Sequence, residues 1–304
     1  MEQIVRIIFS TDFIFSIVRL STPILLATMA VLISDRAGVI NIGVEGTMLF
    51  AALMGVIGSA YSGNVWIGLL VAVLSGILFS GIIAFFHLKL ETDIVLTGIA
   101  LNLMASGLTI FILFLLTGDK GVSTGLNSKT IPNIHIPVIK SIPVLGEMLS
   151  GHSVLTYLAF IIIAVIAVFL KRTRLGTYIR AAGENADSIE TAGISVKVVR
   201  LKALLISGAI AGFGGAFMSM SYVSMFTKDM IAGRGFIAMA AEAMGQGKPV
   251  LSMLSALFFG ATDALSNNLQ LFNFPSELTR LIPYALTIIA LAFYAARIKR
   301  QLKK

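Results

Sequence analysis

The feature that most constrains this chain is a series of separate apolar runs, each close to the roughly 20 residues a helix needs to cross a bilayer. The clearest are Phe13–Ile33, Val65–Phe86, Ile94–Thr117, Val154–Leu170 and Ala203–Val223. Shorter or more polar candidates are Gly46–Ala60, Pro249–Asn267 and Leu281–Ala296. A soluble domain of 304 residues has one core and nowhere to hide so many independent runs. With 57% hydrophobic and 12% charged residues, against about 25% charged in soluble domains, the chain is expected to use lipid as its solvent. The first run is longer than a signal-peptide core and lacks a small-x-small cleavage pattern near its end, so it is expected to stay in the mature protein.

Charge orients the runs. The net charge is +8, but no basic patch with stacking or groove-reading residues accompanies it, so nucleic acid is not an expected partner. More than half of the 23 Lys and Arg residues lie in Lys171–Lys202 and Arg297–Lys304. Basic clusters flanking apolar spans mark the cytoplasmic side, so both clusters, and with the second the C-terminus, are expected inside. The stretch 118–152 then forms an outward loop. With no cysteine, disulfides, thiolate metal sites and cysteine nucleophiles are excluded.

Two Gly-rich stretches, Ser34–Glu45 and Thr227–Gly247, each combine apolar residues with a carboxylate. If Lys171–Lys202 is inside, Ala203–Val223 leads out and Pro249–Asn267 must also lead out, so the chain has to return between them. Thr227–Gly247 is therefore expected to cross as a glycine-broken segment, which is tolerated at membrane depth where protein or a water-filled path surrounds it. GVINIGVEGTM from Gly38 aligns with GFIAMAAEAM from Gly235 and sets Glu45 opposite Glu242. Extending the crossing to Ser34–Glu45 on that ground gives ten crossings with both ends cytoplasmic, and the fold expected is an all-α polytopic bundle of about 8–10 crossings with two broken segments, in a single domain.

Charges inside a span face a bundle interior or a cavity. Glu45, Glu242 and Asp263, with the neutral Asn41, Asn102, Asn267 and Asn268, are the candidates for a substrate pathway, and Arg234 in the Gly233–Gly235 turn is a candidate for its mouth. Each also suits the plainer task of satisfying a broken backbone or a neighbouring helix. The small residues Ser207, Gly208, Ala211, Gly212 and Gly215 have the spacing of close helix packing. His87, His135 and His152 are too scattered to form a metal site. GQGKP at Gly245–Pro249 lacks the Ser or Thr and the spacing of a phosphate-binding loop. No cofactor, metal or catalytic set is expected.

Between Leu175 and Ile194 the pattern is that of a short amphipathic helix. Asn185 is suited to cap it, Asp187 and Glu190 favour its dipole, and Gly193 can end it in a left-handed conformation.

RAAGENADSIETAGISVKVVRLKALLISGAIAGFGGAF from Arg180, SDRAGVINIGVEG from Ser34 and TKDMIAGRGFIAMAAEAMG from Thr227 together resemble permease subunits of ABC importers in the branched-chain amino acid and simple-sugar superfamily. The likeness runs over nearly the whole chain and is nearest to the shorter permease of nucleoside importers. AMGQGKP after Glu242 is more polar than that pattern. The resemblance implies that Gly183, Glu184 and Asn185 form the entry turn of a coupling helix, Ala186 and Ile189 its packed face, and Gly193 and Ile194 its exit. Asp187 and Glu190 would meet basic residues of a partner. It further implies a cytoplasmic ABC ATPase, a second, non-identical permease, an extracytoplasmic substrate-binding lipoprotein, and a small-molecule substrate, all at a bacterial plasma membrane. Alternatives are a simple-sugar permease, an ion-coupled secondary transporter, which explains the broken segments without a partner, and a membrane enzyme, which would require a convergent catalytic set.

Overall fold

A computed structural model describes residues 10–135, 148, 150–270 and 285. Apart from Ala285, the expected span Leu281–Ala296 lies outside the described residues, as do the basic tail Arg297–Lys304 and much of the second half of the expected outward loop.

Helix α1, Thr11–Asp35, starts from a Ser10 cap and is the hub of the bundle. It is buried on all sides from Leu20 to Ser34, as expected of a helix apolar all round. Packed around it are α2 (Val44–Ser62), α5 (Val154–Arg172), α8 (Val196–Phe217), α9 (Arg234–Gly245) and α10 (Pro249–Gln270). Helix α3, Val65–Ala84, continues into a π turn, Phe85–Lys89, and packs on α2 and α8. Helix α4, Ile94–Thr117, packs against α2. Two short helices, α6 (Arg174–Glu184) and α7 (Ala186–Thr191), join α5 to α8. Seven helices are long and apolar enough to span a membrane among the described residues.

The outer surface supports that reading. Helix α4 buries Thr97, Gly98, Leu101, Ala105, Thr109 and Leu113, one stripe at helical spacing. Its opposite face exposes Leu96, Leu103, Phe111 and Leu115. In water such a face would be an aggregation liability, whereas in lipid or against another subunit it is solvated. Inside, α3 and α8 touch at glycine: a Cβ on Gly76 would strike the carbonyl oxygen of Gly208, and one on Gly208 would strike that of Gly76.

The two broken stretches differ from each other. After α1 the chain turns at Arg36–Gly38 beside α6, where Gly38 faces the Cα of Gly183. It then runs without helix to Asn41, which lies level with Ser207, well inside α8, and α2 begins at Val44. Ser34–Glu45 is therefore not a crossing of its own, as the alignment with the later stretch implied, but a largely non-helical entry that runs back into the bundle and leads into the spanning helix α2. The later stretch is a full traverse. It follows the π turn Met218–Tyr222 at the end of α8, pairs with the 118–135 loop through Lys228 N donating to Gly121 O (2.8 Å), and continues as α9. With 12 residues, α9 is about 18 Å long, short of the roughly 30 Å hydrocarbon core. The expectation for Thr227–Gly247 thus matches the broken segment observed.

Candidate functional site

A helix that begins inside the bundle leaves its first backbone N–H groups without partners or water. Here another helix supplies them. Glu45, in the first turn of α2, accepts from Gly233 N at 2.8 Å through Oε1 and from Gly235 N at 2.7 Å through Oε2. The carboxylate therefore sits on the N-terminus of α9, where backbone donors and the helix dipole favour an anion. Asn102 of α4 does the equivalent for α2. Its Oδ1 accepts from Gly46 N at 2.8 Å and its Nδ2 donates to Ile42 O at 3.0 Å. Asn41, fully buried, donates from Nδ2 to Ser80 Oγ (3.2 Å) and Ser207 Oγ (3.0 Å), fastening the non-helical entry of α2 to α3 and α8.

The remaining candidates lie apart. Arg234 donates from Nη1 to Ile231 O at 3.1 Å, and its Nη2 lies 3.9 Å from Asp263 Oδ2, tying α9 to α10. Glu242 is near the other end of α9, next to Asp35 and Arg36. Glu45 and Glu242 are thus not equivalent in space: one is in a first helical turn, the other near a last, so the aligned sequences do not describe a structural repeat at these carboxylates.

Glu45 and Asn102 share an open cavity of about 330 Å³ with Ser106, Asp229 and Phe236. Ser106 Oγ donates to Asp229 Oδ1 at 2.7 Å, bridging α4 and the segment before α9. Phe236 presents a half-exposed ring. Sequence reasoning did not single out Asp229, Ser106 or Phe236. The available signal was a second carboxylate within Thr227–Gly247, which lay outside any helical pattern because Asp229 has φ 52° in an irregular turn.

At the opposite end of α9, Arg36 closes the helix: Nε donates to Gly247 O at 2.8 Å and Nη2 to Gln246 O at 2.7 Å. The turn bearing Arg36 rests on α6, since a Cβ on Gly183 would meet the carbonyl oxygen of Arg36. Arg200 of α8 donates to Ala37 O at 3.3 Å on the same turn. The contacts are continuous: α6 to Arg36, Arg36 to the end of α9, the start of α9 to Glu45, and Glu45 to the cavity. Arg36 was missed because a basic residue at the end of a span is ordinarily an interfacial anchor.

Helix α7 has the local form read from its sequence. Asn185 Oδ1 accepts from Ser188 N at 3.2 Å, and Gly193 has φ 77°. Ile189 is 5% exposed and packs into the chain's own core, while Asp187, Ser188 and Glu190 are exposed. Ile189 therefore anchors the segment internally and the polar side is what it presents.

A bundle of membrane-length helices, with helices that start inside the bundle around a cavity and a capped helix pair at one end, has the architecture of a polytopic membrane protein. The family described as branched-chain amino acid transport system / permease component matches residues 13–291, and this chain belongs to it. It is 35% identical over 260 residues to TsgC13 of Haloferax volcanii, provisionally named as a glucose ABC transporter permease, covering 84% of this chain and 77% of that protein. It is 32% identical over 290 residues to the nucleoside ABC transporter permease NupC of Lactococcus lactis, covering 91% and 90%. It is 33% identical over 306 residues to the guanosine ABC transporter permease NupQ of Bacillus subtilis, covering 97% and 94%. A solved metal-chelate type ABC transporter in an inward-facing conformation shares the fold, with a TM-score of 0.53 at 15% identity, over 94% of this chain and 87% of that one. The protein is an ABC transporter permease subunit, a multi-pass membrane component powered by an ATPase rather than an enzyme itself.

Proposed function

We propose that this chain is a single permease domain forming one half of the channel of an ATP-driven nucleoside importer in a bacterial plasma membrane. A second, non-identical permease completes the channel, a cytoplasmic ATPase docks on α6 and α7, and an extracytoplasmic lipoprotein delivers the solute. The observation that carries this reading is the unbroken line of contacts from α6 through Arg36 and α9 to Glu45 and the cavity. An ATPase pressing on α6 has a rigid route to both broken segments. Nucleosides suit the cavity because Asn102, Ser106 and Asp229 offer partners for sugar hydroxyls and Phe236 offers a ring face for a base. The named relatives include both nucleoside and glucose permeases, so a simple sugar is the second reading.

The test is co-purification with a cytoplasmic ABC ATPase, followed by uptake of radiolabelled nucleosides, pentoses and hexoses into proteoliposomes carrying the binding protein. ATP-dependent nucleoside uptake is the expected result. Hexose uptake in preference to nucleosides would move the substrate to sugars. Uptake driven by a sodium or proton gradient without ATP would replace the importer with a secondary transporter.

Orientation follows from the basic segment Lys171–Lys202. With Ser188 cytoplasmic, Asn127 faces outward, and so does Thr11, because Phe15 stacks on His152 with ring centroids 4.0 Å apart at the loop end. The cytoplasmic start expected from crossing parity changes once Ser34–Glu45 is no longer counted as a crossing. A cytoplasmic basic tail, Arg297–Lys304, remains part of the proposal. The chain contains no cysteine, so single cysteines at Ser188, Asn127 and Thr11 report without background. Membrane-impermeant maleimide is expected to label the last two in intact spheroplasts and Ser188 only after lysis. Labelling of Ser188 in sealed spheroplasts would invert the topology.

A further inference from the structure

Four cationic side chains, Arg36, Lys171, Arg180 and Lys248, line a cavity of about 400 Å³ between α5, α6 and the start of α10, with Glu184 the one carboxylate among the described residues of its wall. This cavity is at the α6 end of the bundle and is separate from the one at Glu45. Among the described residues, Lys171, Arg180 and Lys248 make no ion pair within 4.0 Å. The Nε of Arg180 is shielded from solvent and has no hydrogen-bond partner. A buried cationic donor left unmatched is costly, and with Arg36 committed to Gln246 O and Gly247 O, Lys171, Arg180 and Lys248 still outnumber Glu184, which leaves the pocket suited to a further anion.

The other wall is apolar, formed by Ala167, Leu170, Val250 and Leu251. Val250 is 55% exposed, so this wall opens outward. Depth identifies what it opens to. Lys171 is in the last turn of the spanning helix α5, and Lys248 directly precedes the spanning helix α10. The cations are therefore at headgroup level and the apolar wall at the level of the first acyl carbons. A free anion would use the cations and leave the apolar wall unoccupied.

We infer that this pocket binds an anionic phospholipid, with its phosphodiester among Arg180, Lys171 and Lys248 and its acyl chains along Leu170 and Leu251. Basic pockets between spanning helices are suited to such headgroups. The bound lipid would also touch the loop carrying Gly247, one of the carbonyls held by Arg36, and so brace the turn between α9 and α10.

The test uses the complete transporter with its ATPase, exchanged into detergent with phosphatidylglycerol or phosphatidylcholine and read by native mass spectrometry. Retention of phosphatidylglycerol but not phosphatidylcholine is expected. Arg180→Gln with Lys248→Gln should weaken retention roughly thirtyfold. Lys248 is exposed, so Lys248→Gln alone serves if the double variant does not assemble and should weaken retention roughly fivefold. Lys197→Gln, which removes an exposed cation paired with Glu91 on another face, should leave retention unchanged. Equal retention by wild type and the pocket variants overturns the proposal, as does an equal loss in Lys197→Gln. Displacement of the lipid by inorganic phosphate would make the site one for free phosphate. Lipid bound by the isolated permease but absent from the ATPase-bound complex would make the pocket part of the subunit interface. Either result overturns the lipid assignment.

Discussion

Replacing Gly183 by valine is expected to abolish ATP-driven uptake while leaving the spanning bundle inserted. A Cβ at this position would strike the carbonyl oxygen of Arg36 and lie 3.1 Å from the backbone nitrogen of Gly38. Both obstacles are backbone, so neither can swing aside as a side chain would. Overpacking of this kind costs about 1–3 kcal/mol, and α6 can relieve it only by moving off the turn. That movement removes the support beneath Arg36, whose guanidinium holds Gln246 O and Gly247 O at the end of α9. Hydrogen bonds to a charged donor contribute about 1.5–3 kcal/mol each, enough to loosen the end of a 12-residue helix. The expected signature is uptake reduced at least roughly a hundredfold, with basal ATP hydrolysis retained but no longer stimulated by loaded binding protein. Gly193→Val is the comparison. A Cβ there meets nothing within 4 Å, so its only penalty is the left-handed φ of 77°, about 1–3 kcal/mol confined to the exit of α7. Wild-type uptake and stimulation in Gly183→Val would show that α6 does not transmit through Arg36.

The second large effect is expected at Glu45. Glu45→Ala leaves the N–H groups of Gly233 and Gly235 without acceptors inside the bundle, where each unsatisfied group costs about 1–3 kcal/mol. Gln at the same position offers one carboxamide oxygen where the carboxylate offered two, so it should rescue in part. The order wild type, Glu45→Gln, Glu45→Ala is expected in both thermal stability and uptake, with Ala on the order of 10 °C below wild type in melting temperature and nearly inactive. The kinetics separate the two tasks open to this residue. A clasp that holds α9 lowers the maximal rate and the melting temperature together, whereas a direct ligand of the solute raises the half-saturation concentration with the melting temperature unchanged. Wild-type behaviour of both variants would mean that the start of α9 does not depend on the bond to α2.

The spans were legible because they depend on composition over about 20 residues. Phe13–Ile33, Val65–Phe86, Ile94–Thr117 and Val154–Leu170 all fall on observed helices. Asn185 and Gly193 were legible for a related reason: a cap bonds a backbone group three residues away and a left-handed exit is a property of one residue. The glycines of α8 announced close packing through spacing alone, although nothing in it named Gly76 as the partner of Gly208.

The parts that were misread depend on distant contacts. Ser34–Glu45 has the composition of a broken span, and hydropathy cannot tell a segment that folds back into the bundle from one that crosses it. The difference is made by Asn41, Asn102 and Arg36, which bond to groups on α3, α8, the start of α2 and the end of α9. Glu45 and Glu242 look alike in their local sequences, yet Glu45 bonds to residues 188 and 190 positions away while Glu242 sits by Arg36. The sequence by itself determined the solvent, the helices and where helix had to fail, because these follow from the cost of putting side chains and unpaired backbone into lipid. Only the tertiary structure decided which carboxylate, amide or guanidinium satisfies each broken end, because an orphaned N–H or C=O accepts any suitable partner that packing brings within about 3 Å, and packing is set by the whole bundle at once.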